Sequence, residues 1–205
     1  MQDTNLSFTD EELRAIADDR FFVVKHEVTR KVFQLFGELE KLLSKEIAAM
    51  PFLSATEPWK KESSKIFRGE NYRLMPYVLL DCPRIFNTET VFAYRSMFLW
   101  GNEFSFTLHL QGNALELFRK KIQQNISILL KQGFFFCVND TPWEYFYEEV
   151  NYRRLDELFE NPDELMQLIN TRKFVKLSRK LELVHHDRVL NTGVETFREL
   201  VKVLR

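Results

Sequence analysis

Apolar positions along this chain recur first at helical spacing and later at strand spacing. Thr9-Asp10-Glu11-Glu12 has the spacing of a capping box, in which the Thr9 hydroxyl and Glu12 carboxylate each satisfy a backbone N–H. A short helix is predicted there. From Asp19 to Met50, Phe21, Val24, Val28, Val32, Leu35, Leu39 and Leu42 fall at three- and four-residue steps among Lys, Glu and Arg. This predicts one long amphipathic helix, ended by Pro51. Its stripe is one face wide and reads as packing on a sheet or a neighbouring helix rather than as a dimer seam.

The pattern then changes. Residues 51–64 read as a connection with two prolines, two lysines and Trp59. Lys65 to Arg68 suit a short strand, and Gly69-Glu70-Asn71 is turn chemistry. Arg73 to Cys82 carries a strand-like apolar run, but Pro76 has no N–H for a ladder, so it belongs at an edge or a strand beginning. Asp81-Cys82-Pro83-Arg84 is expected to turn the chain. Val91 to Trp100 and Glu103 to Leu110 flank Gly101-Asn102, a hairpin signal.

Helical spacing returns at Ala114 to Lys131, with Gly133 as a C-terminal cap. Phe134 to Val138 reads as a short buried strand, and Thr141-Pro142-Trp143-Glu144 as a helix start, although Tyr145, Tyr147 and Tyr152 also alternate as in a strand. Asn161-Pro162 opens a helix through Ile169, the basic residues 172–180 suit an exposed edge strand, and Thr192-Gly193-Val194-Glu195 caps a closing helix. Trp59 and Trp143 read as cover for the core. The predicted fold is α+β: an antiparallel sheet built around a central β-hairpin and packed against long amphipathic helices.

Composition adds bounds. A chain of 205 residues with 45% apolar and 29% charged residues suits one domain over 1–205, and 20 Phe point to a core built by aromatic packing. A net charge of −1 and two basic patches with few interleaved aromatics (Arg119-Lys120-Lys121 and 172–180) argue against nucleic acid. No apolar run approaches a membrane span, no secretory leader is visible, and Cys82 and Cys137 fit a cytoplasmic protein with reduced thiols.

No recognisable cofactor or catalytic motif is present. The six glycines are too far apart for a nucleotide-binding loop, and neither cysteine sits in a nucleophile context. His185-His186-Asp187 is the nearest approach to a metal-ligand cluster, yet neighbouring side chains on a strand point to opposite faces, so no metal and no cofactor are expected.

Candidate chemistry concentrates in the hairpin and the segment before it. With a two-residue loop, Trp100 faces Glu103, and Phe92, Tyr94, Phe98 and Trp100 share a mixed face with Ser105, Thr107 and His109. With a three-residue loop, Phe92, Tyr94 and Phe98 join Phe104, Phe106 and Leu108 in a core face, and Arg95 sits opposite Thr107 beside His109. In either register Arg95 and His109 project from central strand positions, where an ionisable group needs a partner or solvent. Lys65, Arg68, Asn71, Tyr72, Arg73, Asp81 and Arg84 cluster at strand ends that could accept a carboxylate or phosphate, or be solvated.

Two phrases carry a resemblance: Lys65 to Arg84, with G-E-N-Y and L-L-D-x-P-R, and F-L-W-G-N-E-F-S-F-T-L-H-L. Together they resemble an uncharacterised family of bacterial α+β proteins of about this length, over the central quarter of the chain. The resemblance implies a bacterial cytosolic protein and assigns no activity or residue. Three functions stay open. The first is binding of an anionic or aromatic small ligand over the hairpin sheet, with Arg68, Tyr72, Arg84, Arg95 and His109 as polar contacts and Tyr94 and Trp100 as walls. The second is a homodimer or interaction module through the aromatic sheet face. The third is an enzyme with His109 as general base and Arg95 as anion clamp.

Overall fold

Two helices open the described chain, which comprises residues 6–50 and 63–205 of this computed structural model. Pro51 and Trp59 fall outside those residues. Helix α1 (Asp10–Ala17) starts with the expected capping box: Glu12 N–H donates to Thr9 Oγ1 at 3.2 Å, and Thr9 N–H donates to Glu12 Oε2 at 2.7 Å. One residue, Asp18, separates it from α2 (Asp19–Ala48) and caps it by accepting the Phe21 N–H at 3.0 Å. The buried stripe of α2 is Thr29, Val32, Phe36, Leu39, Leu43 and Ile47. This face is rotated from the one read in the sequence, since Phe21, Val24 and Leu42 are exposed. Full burial begins at Thr29; Val28 packs partly against the core and Phe21 touches Trp100, while Phe22, Val23 and Val24 are exposed.

The remaining elements are β1 (Ser63–Tyr72), β2 (Met75–Phe86), β3 (Thr90–Leu99), β4 (Glu103–Gly112), α3 (Asn113–Asn125), β5 (Phe135–Cys137), β6 (Tyr152–Arg154), α4 (Leu155–Leu158), α5 (Pro162–Thr171), β7 (Phe174–Glu182) and α6 (Val189–Lys202). Short 3-10 turns follow α3 and β7. The strands form one seven-stranded sheet in the order β1-β2-β3-β4-β7-β5-β6, antiparallel throughout. This is the α+β arrangement.

The hairpin takes the longer loop. Phe98 pairs with Phe104, leaving Trp100-Gly101-Asn102 as a three-residue turn with Gly101 at φ +71°. Glycine reaches that left-handed conformation without a steric penalty. Phe92, Tyr94, Phe98, Phe104, Phe106, Leu108 and Leu110 therefore join one core with residues of α2, α3, α5 and α6. The opposite face carries Asp81, Arg95, Thr107, His109, Lys176 and Ser178, all buried.

Five sequence expectations are corrected. The turn expected at Gly69 lies instead at Arg73-Leu74, both with positive φ (52° and 67°), as a two-residue hairpin turn requires. Gly69 lies within the strand opposite Tyr77, whose ring occupies the space a Cβ would need. The expected turn at 81–84 is a bulge holding the cis Cys82-Pro83 bond, after which β2 continues to Phe86. Residues 172–180 contribute to β7, an interior strand paired with β4 and β5 rather than an edge. The helix expected from Thr141 is irregular chain. Finally, α6 begins at Val189, so Thr192 lies inside it, and Gly193 is where a Cβ would come within 2.9 Å of Leu39.

Candidate functional site

Residues 138–151 form a strap across the face of the sheet that the helices leave uncovered. Its roots are held by Arg172, whose guanidinium donates to the carbonyls of Val138 (2.6 Å) and Asn139 (2.7 Å), and by Asn151, whose side-chain amide donates to Phe146 O (2.6 Å). Tyr72 anchors the middle. Its hydroxyl donates to Glu144 Oε2 at 2.8 Å and accepts the Tyr145 N–H at 2.7 Å.

Beneath the strap, Lys176 is fully buried and its ammonium donates to the carbonyls of Pro142 (2.8 Å) and Glu144 (2.6 Å), with the Tyr145 ring 4.3 Å away. Burial, with the charge of Arg95, pulls this amine down to about 8, opposed by Cys137 and Glu144. It is charged at neutral pH, which strengthens its bonds to the strap carbonyls. Arg95 forms a two-toothed pair with Asp81 (2.7 and 2.8 Å) and donates to the Tyr145 hydroxyl. Burial opposes its charge, but Asp81 and Tyr145 together raise the guanidinium above its ordinary value.

A cavity of about 340 Å3 opens beside this pair, lined by Lys65, Phe67, Asp81, Arg84, Phe86, Arg95 and Trp143. That volume is at the lower end of small-ligand sites, roughly 300–1,000 Å3. Trp143, from the strap, stacks on Phe86 at 6.3 Å and 27°. Arg84 lies 5.2 Å from the Phe86 ring, and Lys65 5.7 Å from the Phe67 ring. Among the described residues the lining holds three cations, three aromatic rings and one carboxylate. That carboxylate is engaged by Arg95, which leaves Lys65 and Arg84 as the other charged groups of the described lining.

The seven residues singled out in the sequence separate. Arg84 and Arg95 meet in the cavity. His109 is 3% exposed behind its wall, its ring 5.8 Å from Trp143, 6.5 Å from Phe86 and 6.0 Å from Phe174. Tyr72 lines a second cavity of about 290 Å3 with Arg73, Glu148 and Lys180. Tyr94 is in the opposite, helix-covered core, donating to Gly193 O at 2.6 Å and packing on Phe197 at 5.1 Å. Arg68 is an exposed residue of edge strand β1 on that same helix side, and Trp100 sits at the hairpin tip against Phe21 (6.5 Å) and Phe98 (5.6 Å). Tyr94 and Trp100 are therefore not walls of the Arg95 cavity, because the three-residue loop sends alternate side chains the other way.

His109 Nε2 meets no hydrogen-bond partner among the described residues. Burial first, then the positive charges of Lys176 and Arg95, push the imidazole down to about 3. It is neutral at pH 7, covered by rings, and lacks the access a general base requires. The aromatic face expected to serve a homodimer, with Phe92, Tyr94 and Phe98, is instead covered by the helices.

Phe67 and Phe86 had no signal of their own in the sequence, and Tyr145 only its place in the alternation with Tyr147 and Tyr152. Lys176 had one: a lysine in an alternating Phe-Val-Lys-Leu-Ser run, read as an edge guard. Among the described residues, no group of three His, Cys, Asp or Glu side chains could hold a metal, and no helix is long and apolar enough to cross a membrane. Comparison with known protein families, curated proteins and solved structures finds no match to this chain.

Proposed function

We propose that this is a bacterial cytosolic protein that binds a small anionic ligand with a flat apolar body in the cavity between Trp143 and strands β1–β3. The observation that carries the reading is the lining itself: among the described residues it brings Lys65, Arg84 and Arg95 together with the carboxylate of Asp81, between the rings of Phe67, Phe86 and Trp143. Cations at the mouth suit a carboxylate or phosphate, and aromatic walls suit a ring. The resemblance of the central stretch to a bacterial family supports the setting. The proposal is one of binding and includes no covalent step.

A thermal-shift screen of aryl carboxylates and aryl phosphates tests it. A true ligand at about 100 times its Kd raises the melting midpoint by roughly 5–10 °C. The shift disappears in Arg84→Ala and Lys65→Ala. If neither compound class shifts the midpoint, or the variants respond like the parent, the reading is wrong.

A further inference from the structure

The N-terminal arm presents an apolar surface that the described residues leave uncovered. Helix α1 has no buried residue, and Leu13, Ile16, Phe21, Phe22, Val23 and Val24 are each 45–63% exposed. With Leu6 and Phe8, also exposed, these side chains offer on the order of 900 Å2, against about 800 Å2 per partner in a stable protein interface.

At the same end of the molecule lies an apolar groove of about 410 Å3 that the described residues leave unfilled, between α2 and the hairpin tip. Val28, Val32, Leu35, Phe98, Trp100 and Phe104 line it, and Lys31 and His186 stand at its rim. The charges are complementary. Residues 10–20 of the arm hold five acids (Asp10, Glu11, Glu12, Asp18, Asp19) against Arg14 and Arg20, a net −3. Arg188 balances Asp187 in the 3-10 turn that supplies His186, which leaves Lys31 as the positive charge at the rim.

The arm cannot fill its own groove. Antiparallel helix pairs need a loop of about two to five residues, whereas α1 and α2 are joined by Asp18 alone, fixed as the cap of α2 by its bond to the Phe21 N–H. We propose that two copies of this chain exchange arms, α1 of each seated in the groove between α2 and the β3–β4 tip of the other. Such a contact is isologous and closes as a two-fold dimer, in which the same two patches meet twice. The acidic arm disfavours an anionic membrane surface as the alternative occupant.

Light scattering on the full chain at micromolar concentration should give twice the chain mass. Ile16→Asp with Phe22→Asp should reduce it to the single-chain mass with the far-UV spectrum unchanged, because both side chains are exposed within one chain. To place the arm, Ile16→Cys and Lys31→Cys chains are mixed and oxidised, and a disulfide-linked heterodimer is expected that neither forms alone. A monomeric parent overturns the proposal, whether or not it sediments with anionic vesicles. So does a dimer that survives the arm substitutions, or a mixture that yields no heterodimer.

Discussion

The two faces of the central sheet are equally dry but are held by different forces. On the helix side, Phe36, Phe92, Phe106 and Phe197 are fully buried among aliphatic residues of the helices, each contributing about 1.5–3 kcal/mol through the area removed from water. On the strap side, Asp81, Arg95, Thr107, His109, Lys176 and Ser178 are buried at most 9% exposed. There a buried polar atom without a partner costs free energy, and within this set His109 Nε2 is such an atom among the described residues. Thr107 and Ser178 share a hydrogen bond at 2.6 Å, and Tyr147 bonds Ser178 at 2.5 Å. Helix-side packing is non-directional and tolerates change of shape. The strap side is a set of pairs, and each half of a pair is a liability once the other is gone.

That contrast makes Asp81 the most sensitive residue of the strap side. Asp81→Ala should cost about 3–5 kcal/mol in urea unfolding, because it leaves the Arg95 guanidinium buried without its counter-charge. Phe106→Ala on the helix side should cost a similar ~3–5 kcal/mol through its cavity. The two are separated by rescue. Adding Arg95→Met to Asp81→Leu should recover most of the strap-side loss, since removing both halves of a buried ion pair is often near neutral. No second truncation recovers Phe106→Ala. A double variant as unstable as the single one would show that the pair contributes stability beyond satisfying its own charges.

Second in size is the acid limb of stability. The His109 imidazole has a depressed value of about 3 in the folded chain, against 6.5 unfolded, so below pH 6.5 the unfolded chain binds a proton that the folded one resists. Its stability contribution is complete above pH 6.5 and is lost as pH falls toward 3, at about 1.4 kcal/mol per unit. His109→Phe, which keeps a ring among Phe86, Trp143 and Phe174, should flatten the curve between pH 3 and 6.5. If the acid limb is unchanged, His109 is not what resists protonation there.

What could be read from the chain follows the same division. The α1 capping box, the α2 helix and the β3–β4 strands were legible because local spacing and local hydrogen bonds determine them. Arg95 was legible as an ionisable group in need of a partner, and that partner, Asp81, lay on the neighbouring strand once the hairpin register was known. The register itself hung on one residue of loop length, so the positions of Tyr94 and Trp100 followed only from the structure. The strap was not legible at all: Pro142 and Glu144 are held by carbonyl bonds to Lys176, more than 30 residues away, and no local propensity encodes them. Lys176 looked like an edge guard because a buried lysine and an exposed one are spelled alike.

At the alkaline end the dependence has the same sign. The Lys176 ammonium is depressed to about 8 in the folded chain from 10.5 unfolded, so its burial opposes folding at neutral pH by on the order of 3 kcal/mol. That cost is relieved as pH rises from 8 to 10.5, where the unfolded chain still holds the proton. The difference in unfolding free energy between the parent and Lys176→Met should therefore drift in the parent's favour across that window. A flat difference would mean that the amine titrates normally, and that bonds to the Pro142 and Glu144 carbonyls offset its burial.

The smallest expected effect on stability belongs to Trp143, and it bears most directly on function. Trp143 is 51% exposed, and no strap-anchoring hydrogen bond depends on its side chain. Trp143→Ala should lower stability by about 1 kcal/mol or less, as surface positions usually do. It nonetheless removes one of three aromatic walls of the Arg84–Arg95 cavity and half of the stack on Phe86. If the cavity binds the ring of an anionic ligand, the variant loses the ligand-induced melting shift while its own midpoint barely moves. If Trp143 serves only to cover His109, the pattern inverts: the midpoint falls, and the acid limb of the stability curve shifts as water reaches the unpartnered Nε2. One titration series on this substitution thus separates a ligand-binding wall from a lid over a buried imidazole.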